Sequence, residues 1–201
     1  MITTIIFDIG NVLADFTWRE HFASFGYDDA MIERLAAATI MSPQWNEYDR
    51  GLMSDQEIED AFISNDPEIA SDIHKVLTDV KTIVRRNDYA IPWIKELKNK
   101  GYRCLYLSNF SRKAETECAQ ALDFLPYMDG GILSYQDKVI KPMPEIYQLL
   151  IDRYDLKPEE CVFMDDTPCN LEGAEKFGIH TIHFRTQAQA IEELRAMGVN
   201  A

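Results

Sequence analysis

The chain has 201 residues, 46% of them apolar, enough for one core with a second, smaller unit. A formal net charge of −14 at pH 7 sets it against nucleic acid and anionic membrane surfaces, so an anionic substrate would have to be met by local cations. No apolar run approaches the roughly 18 residues of a membrane span. The N-terminal apolar run has no basic lead-in and ends on Asp8, unlike a secretory leader. Cys104, Cys118, Cys161 and Cys169 are scattered without CxxC spacing and read as reduced, mostly structural thiols. Cytoplasmic residence is the expectation.

In chain order, residues 2–8 read as a buried strand stopped by a carboxylate, with Gly10 and Asn11 breaking it. From about 14 to 87 the pattern is helical, with no convincing strand. Ser54 and Glu57 match a capping box ahead of Ile58, Ala61 and Phe62. Asp66-Pro67 reads as an N-cap followed by proline at the first helical position. Ile69, Ile73, Val76, Leu77 and Val80 then recur at helical spacing. Four or five short helices are expected here as a separate bundle.

After about 90, helices and strands alternate. A helix stopped by Gly101 precedes the strand "RCLYLSN", and a helix over 112–123 precedes the strand "GGILSY". The helix "PEIYQLLIDRY" leads to the strand "CVFMDD", the helix "NLEGAEKFG" to the strand "HTIHF", and a last helix covers 187–197. The pattern predicts an α/β fold with a parallel sheet covered on both faces. Such sheets bind ligands at the carboxyl ends of their strands.

What sits at those ends is therefore informative. Asp8 can be a metal ligand, a base, a nucleophile or a loop cap. An acid there is costly unless a cation stands beside it. Asp165 and Asp166 follow "CVFM"; adjacent acids repel unless compensated, and hard oxygens on a rigid sheet suit Mg²⁺. Asn170, at helical spacing from Asp166, is placed to hold a metal-bound water, although the acid pair could also simply cap the next helix. Ser108 and Asn109 end another strand and Ser111 opens a helix, which makes either an anion site or an ordinary N-cap. Lys141 precedes a stiffening Pro-x-Pro, so its ammonium is placed where it could neutralise a phosphate and a carboxylate, unless it is one more solvated lysine.

The order and strand-end placement of these pieces resemble the haloacid dehalogenase superfamily. The four motifs are "FDIGNV" with Asp8, "LYLSN" with Ser108, Lys141 before "PMPEIY", and "VFMDDTPCNLEGA" with Asp165 and Asp166. "DRGLMSDQEIEDAF" and the first motif of form DxGNV look most like the branch containing the alpha-D-glucose-1-phosphate phosphatases. The resemblance implies a Rossmann-like core in residues 1–13 and 88–201, and an inserted α-helical C1 cap in 14–87. It implies a phosphatase for a small phosphorylated metabolite, with Asp8 as nucleophile, Lys141 as the catalytic cation, and Ser108 and Asn109 binding the phosphoryl group. It implies Mg²⁺ held by Asp8, the Gly10 carbonyl and Asp166, with Asn170 as a further ligand and Asp165 either supporting the site or ligating directly. The two cations are expected to keep Asp8 ionised. The chain is expected as a monomer or homodimer.

The departure from the pattern is Gly10, where family phosphatases carry a second Asp that protonates the leaving oxygen. Its loss predicts a substrate with an acidic leaving group such as a sugar 1-phosphate, or a substitute such as Asp15 or a residue of the cap, or weak activity. Trp18, His21, Phe22, Trp45 and Tyr48 could face the site, although aromatics in small helical bundles are more often core and His21 reads as a packed or surface histidine. The competing readings are a metal-independent 2-haloacid dehalogenase, against which the acid pair argues, and a non-catalytic binding protein, for which Gly10 is the support.

Overall fold

In the computed structural model, which describes residues 1–201, the first strand, β1 (Thr4–Phe7), lies in the middle of a five-stranded sheet. A short strand β2 (Ala14–Phe16) follows, then five helices: α1 (Trp18–Ala23), α2 (Asp29–Ala38), α3 (Pro43–Asp49), α4 (Asp55–Asn65) and α5 (Ala70–Thr78). The chain returns through β3 (Val84–Arg86), α6 (Ala90–Asn99), β4 (Arg103–Ser108), α7 (Arg112–Glu117), β5 (Gly131–Leu133) and the short α8 (Ser134–Asp137). It ends with α9 (Pro144–Tyr154), β6 (Cys161–Asp165), α10 (Pro168–Glu175), β7 (His180–His183) and α11 (Gln187–Ala196).

The sheet order is β5-β4-β1-β6-β7, and every neighbouring pair is parallel. Both faces are covered, as the continuous apolar strands require. Side chains alternate between faces with the strand period of two. Ile5, Phe7, Val162 and Met164 pack with Trp93, Ile94 and Leu97 of α6 and with Ala190 and Leu194 of α11. Ile6, Leu105, Leu107 and Phe163 pack with Ile146, Tyr147 and Leu150 of α9 and with Leu171 and Ala174 of α10. The chain builds outward from β1 first on the β4 side and then on the β6 side. The three central strand ends, β4, β1 and β6, therefore open side by side at the point where the strand order reverses, the usual location of a crevice.

The helices between β2 and β3 have their own core, built from Phe22, Ile32, Leu35, Tyr48, Ile58, Phe62, Ile73 and Val76 among others. The Ser54–Glu57 capping box is formed in full at the start of α4. Ser54→Ala is expected to cost about 1 kcal/mol, seen as a lower urea midpoint at unchanged slope; an unmoved midpoint would mean the cap carries no stability.

Three local expectations are corrected. The 14–87 stretch is not wholly helical: β2 and β3 pair antiparallel, Ala14 with Arg86 and Phe16 with Val84, as a ribbon at the foot of the helices. Strands of three residues are too short to show a period. Asp66 does not cap a helix with its side chain. Arg34 takes it instead, with Nε 2.6 Å from Oδ2, and the first turn after Pro67 is 3-10. The helix expected over 112–123 stops at Glu117, because the following turns carry Cys118, Leu122 and Phe124 into the main core.

Candidate active site

Asp8 follows the last residue of β1, its N–H donating to the Met164 carbonyl of β6 at 2.8 Å. Its carboxylate is buried, and Oδ1 accepts the Ile9 N–H at 2.7 Å and meets the Lys141 ammonium at 2.8 Å. Ser108, buried at the end of β4, lowers the pKa of the same carboxylate. Lys141 arrives from the loop before α9 and is only 3% exposed. Its Nζ also donates to Asp165 Oδ2 at 2.6 Å and lies over the Phe163 ring. One ammonium thus bridges the carboxylates of two adjacent strands.

Lys141 is held from behind as well. Asn109 Nδ2 donates to the Lys141 carbonyl at 3.0 Å, and the Lys141 N–H donates to Asn109 Oδ1 at 2.7 Å. Asn109 lines the cavity, but both ends of its amide are engaged with the lysine backbone, which makes it a clamp.

Asp165, with no exposed surface, accepts hydrogen bonds from Lys141, from the Thr167 N–H at 2.7 Å and from Asn170 Nδ2 at 3.1 and 3.0 Å. These contacts occupy the roughly four lone-pair positions of a carboxylate. Asn170 is itself fixed, since its carbonyl accepts the Tyr147 hydroxyl at 2.7 Å. Asp166 is more open: Oδ2 accepts from Asn11 Nδ2 at 2.9 Å, and Oδ1 accepts from the Thr167 hydroxyl at 3.3 Å. Asn11 sits at φ 55°, the left-handed region that asparagine tolerates, and this turn aims its amide across to Asp166.

Ligand oxygens of Asp8, Asp165 and Asp166 all lie within 4.8 Å of one another. Lys141 is the only cation in contact with this trio, and it touches Asp8 and Asp165. The cluster therefore carries an excess of negative charge with hard oxygen donors facing one another, a donor set that fits a small divalent cation. The protein's own groups, without a metal, leave the Asp8 carboxyl above the usual carboxylate range. Burial raises its pKa, Lys141 lowers it, Asp165 raises it again, and the result is about 7. The ammonium is shared between two carboxylates and does not offset the desolvation of both. Lys141 stands above the usual lysine value: burial pushes it down, and Asp8 and Asp165 outweigh that.

The crevice beside these groups has a volume of about 230 Å³. Asp8, Gly10, Asn11, Asn109 and Asp166 form its floor on the strand side, and Phe16, Trp45, Tyr48, Ile58, Leu77 and Val84 form apolar walls. Of the aromatics expected to face it, Trp45 and Tyr48 do so. Trp18, His21 and Phe22 do not line it. Phe22 is core of the helical block, Trp18 packs on that core, and the His21 ring is held between Thr82 Oγ1 at 2.8 Å and the Val76 carbonyl at 2.9 Å. Asp15 reaches the crevice, but its carboxylate is engaged by Arg85 at 3.3 Å and Asn87 at 3.1 Å. Gly10 lines the crevice, and a Cβ built on it would meet no atom within 4 Å.

The sequence reading missed Asp49. It is the last residue of α3, 9% exposed, and lines the crevice together with Asp8 and Gly10. Burial pushes its pKa up, Lys141 pulls it down and Asp8 raises it further, leaving it at about 7. It opens the stretch "DRGLMSDQEIEDAF", but the stretch by itself does not place this acid beside Asp8; the crevice does.

The model of haloacid dehalogenase-like hydrolases matches residues 2–178. The chain belongs to that family. A phosphorylated carbohydrates phosphatase from Thermotoga maritima is 25% identical over 184 residues, 89% of this chain and 83% of that protein. An (S)-2-haloacid dehalogenase 4A from Burkholderia cepacia is 30% identical over 99 residues, 49% of this chain and 43% of that one. Other relatives are much larger proteins, and this chain spans only 10% to 18% of their length. Among solved structures, a HAD family enzyme from Bacteroides thetaiotaomicron in complex with magnesium and inorganic phosphate superposes with a TM-score of 0.71 at 20% identity, over 93% of this chain and 96% of that chain. The haloacid dehalogenase-like fold is thus shared across nearly the whole molecule. No helix is long and apolar enough to cross a membrane.

Proposed function

We propose that this hydrolase is a Mg²⁺-dependent phosphatase for a small phosphomonoester, a sugar phosphate by preference, acting through an aspartyl-phosphate on Asp8. The observation that carries this reading is the meeting of Asp8 and Asp166, which follow adjacent strands and line one crevice, with the buried ammonium of Lys141 against Asp8. Asp8, Asp166 and the Gly10 carbonyl would hold the metal, which when bound neutralises phosphate charge and that developing in transfer. Asp165, already saturated by hydrogen bonds, serves by holding Lys141 and Asn170 in place. Asp8 supplies the attacking oxygen, and its fixed bond to the Ile9 N–H orients it. Lys141 faces the developing charge, and the Asn109 clamp keeps it there. Ser108, with backbone N–H groups at the strand ends, would steady the phosphoryl oxygens. Residues 14–87 act as a cap whose Trp45 and Phe16 faces receive the body of the substrate. The carbohydrate-phosphatase relative supports the sugar preference by its name.

A second chemistry, halide displacement from a 2-haloacid by Asp8, is represented among the relatives. The surplus of carboxylates beside Asp8 disfavours a carboxylate substrate. Protein treated with chelator, then assayed with and without added Mg²⁺ on a panel of phosphomonoesters and on 2-chloropropionate, separates the two. Phosphate release that appears only with metal is the expected result. Halide release without metal would overturn it.

A further inference from the structure

The space at position 10 and the acid at position 49 answer each other across one crevice. Gly10 offers no proton, although nothing within 4 Å of a built Cβ prevents a side chain there. Asp49, brought by the end of α3, is buried and lines the same crevice as Asp8 and Gly10. We infer that Asp49 is the general acid and base of the reaction, supplying from the helical side the proton that residue 10 lacks. This rests on the phosphatase reading and adds a catalytic residue to it.

Three observations support the assignment. First, Asp49 is anchored to the core. Its carbonyl accepts the Ser134 hydroxyl at 2.6 Å, and that hydroxyl oxygen accepts the Phe110 N–H at 2.8 Å. The Gly51 carbonyl, two residues on, accepts Lys138 Nζ at 2.6 Å. This end of α3 is therefore fixed relative to the strand ends, as a proton donor must be. Second, the position is unfavourable for stability alone: a buried carboxylate at the C-terminal residue of a helix faces the negative end of the helix dipole. Third, none of the lysines or arginines forms an ion pair with it, so no fixed cation holds this acid of the crevice in its charged form. Asp15, the other acid in reach, is tied to Arg85 and Asn87.

The step balances. An oxygen of Asp8 forms a bond to phosphorus as the bond from phosphorus to the leaving oxygen breaks, and the Asp49 carboxyl proton moves to that oxygen to give the free alcohol. In the second half the Asp49 carboxylate takes a proton from water as its oxygen attacks the phosphorus of the aspartyl-phosphate. This releases phosphate and restores both Asp8 and the Asp49 carboxyl.

The test is leaving-group dependence with Mg²⁺ present. For Asp49→Asn, kcat/KM is expected to fall about 100-fold or more on glycerol 1-phosphate, whose alkoxide needs a proton. On p-nitrophenyl phosphate, whose leaving group needs none, the expected fall is several-fold only. Gly10→Asp added to Asp49→Asn is expected to recover most of the loss on glycerol 1-phosphate, and thermal unfolding of each variant reports that it is folded. Equal losses on both esters, or no loss on either, would overturn the role of Asp49 while leaving the phosphatase reading intact. Wild-type protein that releases phosphate from neither ester would overturn both.

Discussion

Asp8→Asn is expected to lower phosphate release by a factor on the order of 10⁴ or more, the scale seen when a nucleophile is removed from an otherwise intact site, and at the same time to make the metal-free protein more stable at pH 8. The two effects have one origin. Asparagine keeps the shape of the side chain and an oxygen able to accept the Ile9 N–H, but it has no anion to attack phosphorus. It also removes a buried charge whose only cationic contact, Lys141, is shared with Asp165. The pKa of Asp8 is raised in the fold from 3.8 to about 7, burial being the main cause. Between those values the native state holds a proton that the unfolded chain releases, so stability falls as pH rises from about 4 to about 7 and stays reduced above. The variant lacks this loss. At pH 8 with chelator it is expected to gain on the order of 1 to 3 kcal/mol, and near pH 4 the difference should vanish. Melting curves at the two pH values, beside kcat/KM with Mg²⁺, check both halves. A variant with appreciable turnover would remove Asp8 from the role of nucleophile.

Lys141→Met is expected to act in the opposite direction on stability. The ammonium is 3% exposed and stands 2.8 Å from Asp8 and 2.6 Å from Asp165. Removing one member of such a buried set leaves uncompensated charge and typically costs about 3 to 5 kcal/mol. In a chain of this size that corresponds to a drop in Tm of roughly 6 to 20 °C. Because the groups are buried, added salt should screen little of the effect. Activity should be lost as well, but the sharper check is a pair of melts. Lys141→Met combined with Asp165→Asn removes one of the stranded charges and should be more stable than Lys141→Met alone. A single variant as stable as the wild type would show that the ammonium does not hold the strand ends together.

Much of this site was legible in the sequence, because its parts are local. Asp8, Ser108 and the Asp165-Asp166 pair each follow an apolar strand, and a parallel sheet presents such residues on one edge whatever the details of its packing. The reading of Lys141 as placed agrees with its near-complete burial between two carboxylates. Pairwise details were beyond reach. Asn109 looked free to meet a phosphoryl oxygen; its amide instead fastens the backbone of a residue 32 positions away. The β2–β3 ribbon joins segments about seventy residues apart through three residues each, too few for a period to show.

The alternation of apolar strands with amphipathic helices, and the carboxylates and lysine between them, were determined by the sequence alone, since strand and helix periods and strand-end residues are properties of short stretches. The absence of a proton donor at Gly10 belongs to the same class. Its counterpart is different in kind. Asp49 opens the stretch "DRGLMSDQEIEDAF", which points to a branch of the family but assigns this acid no place, and the helix end that carries it is docked on the core by Ser134 and Lys138. Whether an acid is solvated or desolvated beside other charges is set by groups distant in the chain, and so only the tertiary structure could decide it.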